Sequence, residues 1–370
     1  MKTPARHLPG AMTSAMTSAM TSAMMTAMMT AVTTAVAVAA TATALAGCSS
    51  AASPSGTSTS GASTSSATTP STSTSSGAAG SSASPSASAA SAAFPVTLTA
   101  ANGKVTITSE PARIVSLDPT ATEDLYAVGA GHQVVAVDQD SDYPAGVPKT
   151  SLSGLTPNIE AIAKYNPSLV VASQNSNGLV SGMTKLGIPV LIEPAAATLD
   201  DAYEQIQQIG EATGHTAQAA QVVETMKTQI AADVAKAGTT HKALTYYFEL
   251  SANPFYSVTS STFIGQIVGL FGLKNIADAA SKPSDGGYPE LSEEYIVTAK
   301  PQLIFLSDNQ AADGGQSPAA VAKRPGWSAI PAVQDHEVIG LNDDVASRWG
   351  PRLPLLVAEI AQAVEQASST

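Results

Sequence analysis

The sequence predicts an α/β protein built as two lobes joined by a single long helix. Three observations carry that expectation. Short apolar runs alternate with helical patterns from Phe94 onward, as in parallel sheets covered on both faces. Residues 215–237 hold neither Pro nor Gly and are rich in Ala, Gln, Val, Lys and Glu, which suits a helix spanning roughly 35 Å, the width of a domain. One helix–turn–strand unit occurs twice, offset by 134 positions without a gap.

Two segments precede the lobes. Residues 1–47 read as a secretory signal: Lys2 and Arg6 open it, no acidic residue occurs before Glu110, and an apolar Ala/Val/Thr run from Ala31 leads to Leu45-Ala46-Gly47-Cys48. Cys48 is the one cysteine of the chain, so no internal disulfide can staple the fold. Residues 49–93 are uncharged and almost entirely Ser, Ala, Thr, Gly and Pro, too poor in apolar surface to offset their ordering entropy. Residues 48–93 therefore read as an attachment point and a flexible tether.

In the folded part, Asn102-Gly103 between two β-prone runs, Val96–Ala100 and Lys104–Ile107, predicts a hairpin. Apolar runs at 113–117, 133–137, 168–172 and 189–192 then alternate with helical patterns at 120–128, 158–164 and 178–186. A helix over 199–209 closes the first lobe (94–214) at Gly214. After the joining helix (215–238), the alternation resumes through 243–249, 261–270, 292–299, 302–306 and 337–341 and ends in a helix over 353–367; this is the second lobe (239–370).

The internal repeat aligns Asn158-Ile159-Glu160-Ala161-Ile162…Pro167-Ser168-Leu169-Val170 with Ser292-Glu293-Glu294-Tyr295-Ile296…Pro301-Gln302-Leu303-Ile304. Asn158 and Ser292 are good N-caps, each Glu falls in a first turn where the helix dipole favours it, and each Pro ends a helix before a buried strand.

Composition narrows the function. A net charge of −12 with no basic block speaks against nucleic acid as a partner. No nucleophile elbow, phosphate loop or dinucleotide fingerprint follows a strand, so neither catalytic residues nor a cofactor are expected. His132, His215, His241 and His336 lie at unrelated places, which argues against a bare-metal site.

Arg113-Ile114-Val115-Ser116-Leu117-Asp118-Pro119, Ser141-Asp142-Tyr143-Pro144, the two repeat copies, Gly272-Leu273-Lys274-Asn275-Ile276 and Arg348-Trp349-Gly350-Pro351-Arg352 resemble, in this order, the iron-siderophore and cobalamin class of substrate-binding proteins of bacterial ABC importers. Leu45–Cys48 resembles a lipobox, which implies lipidation at Cys48 and a monomer anchored to the outer face of the cell membrane. The resemblance implies two Rossmann-like lobes, the class III periplasmic-binding-protein fold, and a metal chelate held between them. It also implies an ABC permease dimer with its ATPase as partner, met by one surface glutamate per lobe, Glu160 and Glu294.

Ligand contacts are expected from loops at strand C-termini. Those loops nominate Asp118, Asp140, Tyr143, Gln174, Tyr256, Arg348 and Trp349, of which an Arg beside an aromatic is the best suited to grip or stack on a chelate. Arg352 begins a helix and is expected to brace its own lobe. The many Asp residues of these loops suit an uncharged or cationic chelate better than a multiply anionic one. The competing expectations are a bilobal surface lipoprotein acting as sensor or adhesin, and an enzyme on the same fold.

Overall fold

The computed structural model describes residues 94–238, 244–309 and 315–368. The expected signal, Cys48, the tether and His241 lie outside the described residues. The hairpin forms as expected from β1 (Val96–Ala100) and β2 (Gly103–Ile107), with Gly103 at φ 98° in the turn.

The first lobe continues with β3 (Ile114–Ser116), α1 (Pro119–Ala127), β4 (Val134–Asp138), β5 (Lys149–Leu152), α2 (Ile159–Ala163), β6 (Leu169–Ala172), α3 (Leu179–Lys185), β7 (Val190–Ile192) and α4 (Leu199–Thr213). Its five strands are all parallel, in the order β5-β4-β3-β6-β7. Residues of β3 and β6 are buried throughout, because helices cover both faces of the sheet. The edge strand β5 was not expected from sequence, since Lys-Thr-Ser-Leu carries no apolar run. A capping box between Thr198 and Asp201 starts α4, and Gly214 at φ 84° ends it.

The joining helix α5 (Thr216–Ala237) follows at once and packs on α4. The second lobe comprises β8 (Thr245–Glu249), β9 (Ser251–Ala252), β10 (Phe255–Tyr256), α6 (Phe263–Gly269), β11 (Lys274–Asn275), β12 (Glu290–Leu291), α7 (Glu293–Ala299) and β13 (Leu303–Leu306). It ends with α8 (Pro318–Val321), α9 (Pro331–Gln334), β14 (Val338–Gly340), α10 (Asp343–Ala346) and α11 (Leu353–Ala367). Its main sheet is parallel, β11-β8-β13-β14, beside a small antiparallel sheet β12-β10-β9. The last helix, α11, returns to pack along α5. Ile206, Val223 and Met226 join Phe248, Leu356 and Ile360 in one apolar cluster, so the base of both lobes shares a core. No helix among the described residues is long and apolar enough to cross a membrane.

Candidate functional site

In a parallel sheet every strand delivers its last residue to the same edge, and the helix that follows begins there. In the first lobe, neighbouring strands β4, β3, β6 and β7 lead to Asp138, Asp118, Ser173 and Glu193 respectively. Asp118 caps α1 by accepting from the Ala121 amide at 2.9 Å, and Asp138 accepts from the Ser141 amide at 3.0 Å. Gly154 lets the loop after β5 close on this edge: a Cβ there would collide with the Leu117 carbonyl oxygen and crowd Asp138.

Burial raises the pKa of this row. It pushes Asp138 to about 7 and Glu193 to about 8, and repulsion from Asp118 adds to both. Asp118 and Asp124 are likewise raised, burial again being the main cause. A carboxyl raised in the fold holds a proton that the unfolded chain has released, so its contribution favours folding at low pH and fades as pH rises through the raised value. Thermal stability should therefore fall between about pH 5 and about pH 8, and Glu193→Gln should flatten part of that fall. Unfolding scans across this range check it; a midpoint that rises throughout contradicts it.

The second lobe meets this edge through the loop between α10 and α11. Arg348 donates to Glu123 at 2.8 Å, Asp142 at 3.1 Å, Asp344 at 2.7 Å and the Asp140 carbonyl at 3.4 Å. Arg352 grips the same Glu123 with bonds of 2.7 and 2.6 Å. Glu123 and Asp142 belong to the first lobe, so this loop of the second lobe packs against the C-terminal edge of the first lobe's sheet. Arg352 thus bridges the lobes; the expectation that it braces its own lobe is corrected, because its partner lies on α1. Trp349 donates its indole N–H to Gln205 of α4 at 2.8 Å, and Gln205 in turn holds the Pro194 carbonyl at 2.7 Å, next to Glu193.

On the second lobe's edge, Glu249 at the end of β8 is buried and takes a bidentate pair of 2.6 Å bonds from Arg324. The Arg324 guanidinium lies over Trp327 at 4.4 Å and Phe255 at 5.2 Å from the ring centroids. Asp308, just past β13, is raised to about 7, by burial first and by Glu249 next.

The structure brings Asp118, Asp140, Tyr143, Arg348 and Trp349 together at the meeting of the lobes. Tyr143 is 46% exposed with Arg352 stacked 4.2 Å over its ring. Gln174 and Tyr256 are half-buried near the strand ends of their own lobes, after β6 and in β10. Sequence reasoning did not single out Glu123, Glu193, Glu249 or Arg324. For Arg324 the signal was present, since Arg324-Pro325-Gly326-Trp327 pairs an Arg with an aromatic as Arg348-Trp349 does.

Glu160 and Glu294 are exposed in the first turns of α2 and α7, capped by Asn158 and Ser292. Each of these helices leads into a parallel strand, so its N-terminus lies at the level of the strands' C-terminal edge. Ile159, Ala163, Gly182 and Leu186 line a shallow, mostly apolar depression beside Glu160. Glu293, the neighbour of Glu294, is instead engaged by the Trp327 indole at 2.9 Å.

A family model described as periplasmic binding protein matches residues 114–345. The chain is 35% identical over 280 residues to the ABC transporter substrate-binding lipoprotein YvrC of Bacillus subtilis, covering 73% of this chain and 86% of that protein. It is 31% identical to a cobalamin-binding protein of Halobacterium salinarum, covering 74% and 75%. Among solved structures, the periplasmic vitamin B12 binding protein BtuF of Vibrio cholerae superposes with a TM-score of 0.57 at 25% identity, over 70% of this chain and 99% of that one. A possible iron-binding periplasmic solute-binding protein of Staphylococcus epidermidis gives 0.60 at 25%, over 69% and 99%. With the family model spanning both parallel sheets, the chain belongs to the periplasmic binding protein family.

Proposed function

We propose that the protein captures a metal chelate of siderophore or cobalamin type in the inter-lobe cleft and delivers it to the permease dimer of an ABC importer. The observation that carries this reading is the facing of two parallel-sheet edges, each ending in polar side chains and joined at one end by Arg348 and Arg352. Helix N-termini and free backbone groups at such edges suit a small, polar-rimmed ligand. The names of the curated relatives point the same way.

In this reading Asp118, Asp140, Tyr143, Gln174, Tyr256, Arg348 and Trp349 touch the ligand or shape its walls. Glu160 and Glu294 dock on the permease. Cys48 carries the lipid that holds the monomer on the outer face of the membrane, and residues 49–93 let the lobes reach the importer. The lobes divide at 214 and 239, with 215–238 as the joining helix.

Purification of the full chain from its own host, followed by native mass spectrometry, tests the reading. The expected result is a one-to-one complex whose extra mass matches an intact metal chelate. Recovery of a chemically altered compound, or binding of free metal ion alone, contradicts it.

A further inference from the structure

The two copies of the internal repeat differ on one helix face. In the second copy Glu293 and Val297, one turn apart on α7, are covered by Gly326-Trp327. The Trp327 indole N–H reaches Glu293 at 2.9 Å, and a Cβ on Gly326 would lie 3.8 Å from Val297. Trp327 itself is fully buried. Counted from its N-cap, the first copy sets Ile159 and Ala163 at the same two positions of α2. There the face lines the open depression, together with Gly182 of α3 and Leu186 just past it. Gly182 keeps the place hollow, since a Cβ there would come within 2.8 Å of the Ile159 side chain. Leu186 is 54% exposed.

This chain holds no occupant to spare for that face. Residues 49–93, 239–243 and 310–314, which lie outside the described part, contain no Val, Leu, Ile, Met, Phe, Tyr or Trp. The rim of the depression is charged, with Glu160, Lys164 and Lys185 all exposed. An occupant that matches it is apolar at its tip and bears both signs of charge around that tip.

We propose that the depression is a socket for one large apolar side chain of the permease, aromatic as Trp327 is. The segment that presents it also carries a basic residue for Glu160 and an acidic one for Lys164 or Lys185. This rests on the docking role of Glu160 and adds to it a contact that is not ionic. On α7 the corresponding face is already filled by Trp327, so the two ends of the carrier dock unequally and the apolar anchor belongs to the first lobe. A buried anchor of this kind slows dissociation, whereas exposed glutamates steer the approach.

The test begins with the full chain in its own host cells. The photo-crosslinking residue p-benzoylphenylalanine replaces Leu186, and the cross-linked peptide is sequenced by mass spectrometry. It should belong to an extracytoplasmic loop of the ABC permease, within about one helical turn of an Arg or Lys. That permease, purified in lipid nanodiscs, is then titrated with the full chain carrying Cys48→Ser, so that no lipid anchor contributes. Leu186→Asp should weaken binding about tenfold to 100-fold at both about 0.05 M and about 0.5 M salt. Glu160→Ala should weaken it mainly at the lower salt, and Leu186→Met should keep most of the affinity. An unfolding midpoint of Leu186→Asp within about 2 °C of the parent reports that the fold is intact.

A cross-link to a second copy of this chain, to lipid or to nothing overturns the inference. So does a Leu186→Asp variant that binds as tightly as the parent. Docking by Glu160 survives either result if Glu160→Ala still lowers uptake. If neither Glu160→Ala nor Leu186→Asp alters binding or uptake, the docking reading and this inference fall together.

Discussion

Replacing Glu123 with alanine should destabilise the fold by about 3–5 kcal/mol, because it leaves two partly buried guanidinium groups short of a partner. The Glu123 side chain is 1% exposed and receives bonds from Arg348 and Arg352, both of the other lobe. Arg348 would keep Asp142 and Asp344, whereas Arg352 would keep its stacking on Tyr143. By contrast the Lys236–Glu365 pair, with the lysine side chain 71% exposed, should contribute at most about 1 kcal/mol. In a chain of this size the loss at Glu123 corresponds to a drop in unfolding midpoint of roughly 10 °C. Because the lost bonds join the two lobes, scanning calorimetry should also show them melting less cooperatively. A Glu123→Ala midpoint within about 2 °C of the parent would mean that the network holds nothing together.

Glu160→Ala and Glu294→Ala should show the opposite signature: large effects on uptake and almost none on the isolated protein. Both side chains are exposed in a first helical turn, where each supports its helix by about 0.3–1 kcal/mol. Their removal should leave chelate affinity unchanged. Exposed charges that pair with arginines on a partner set orientation and encounter rate, so each single change should reduce uptake several-fold and the double change should abolish it. Transport of labelled chelate into cells, measured beside binding by the purified variants, separates the two roles. Loss of ligand binding in either single variant would place that carboxylate in the pocket.

The strands of both main sheets were legible wherever they are buried on both faces, since Ile-Val-Ser, Leu-Val-Val-Ala and Leu-Ile-Phe-Leu read as continuous apolar runs. β5 was not, because an edge strand of Lys-Thr-Ser-Leu needs little apolar character. The two-residue strands β9, β10, β11 and β12 are too short to carry any period. Asp118 stands out in the sequence from its place after β3, and Arg348 and Trp349 stand out as an Arg beside an aromatic in a loop; the structure places all three where the lobes meet. Glu123 does not: within Thr122-Glu123-Asp124 it looks like part of a solvated helix face. Its burial depends on arginines more than 220 residues away, at a separation of 225 positions for Arg348. Long-range pairing of this kind leaves no local pattern, which is also why Arg352 was assigned to the wrong interface.

The apolar cluster shared by α4, α5, α11 and the strands of both lobes limits how this molecule can move. Jaws that swing wide would have to tear that common foundation open and wet Val223, Met226 and Ile360. At roughly 25 cal/mol for each Å² of apolar surface, even a modest wedge of exposure outweighs the free energy of a small-ligand contact. The protein is therefore a clasp rather than a trap. A change in the distance between Glu160 and Glu294 would have to open that cluster, so the span is expected to stay nearly constant. Under the proposed docking role, a span of fixed length reports the arrival of a carrier and says nothing of its load.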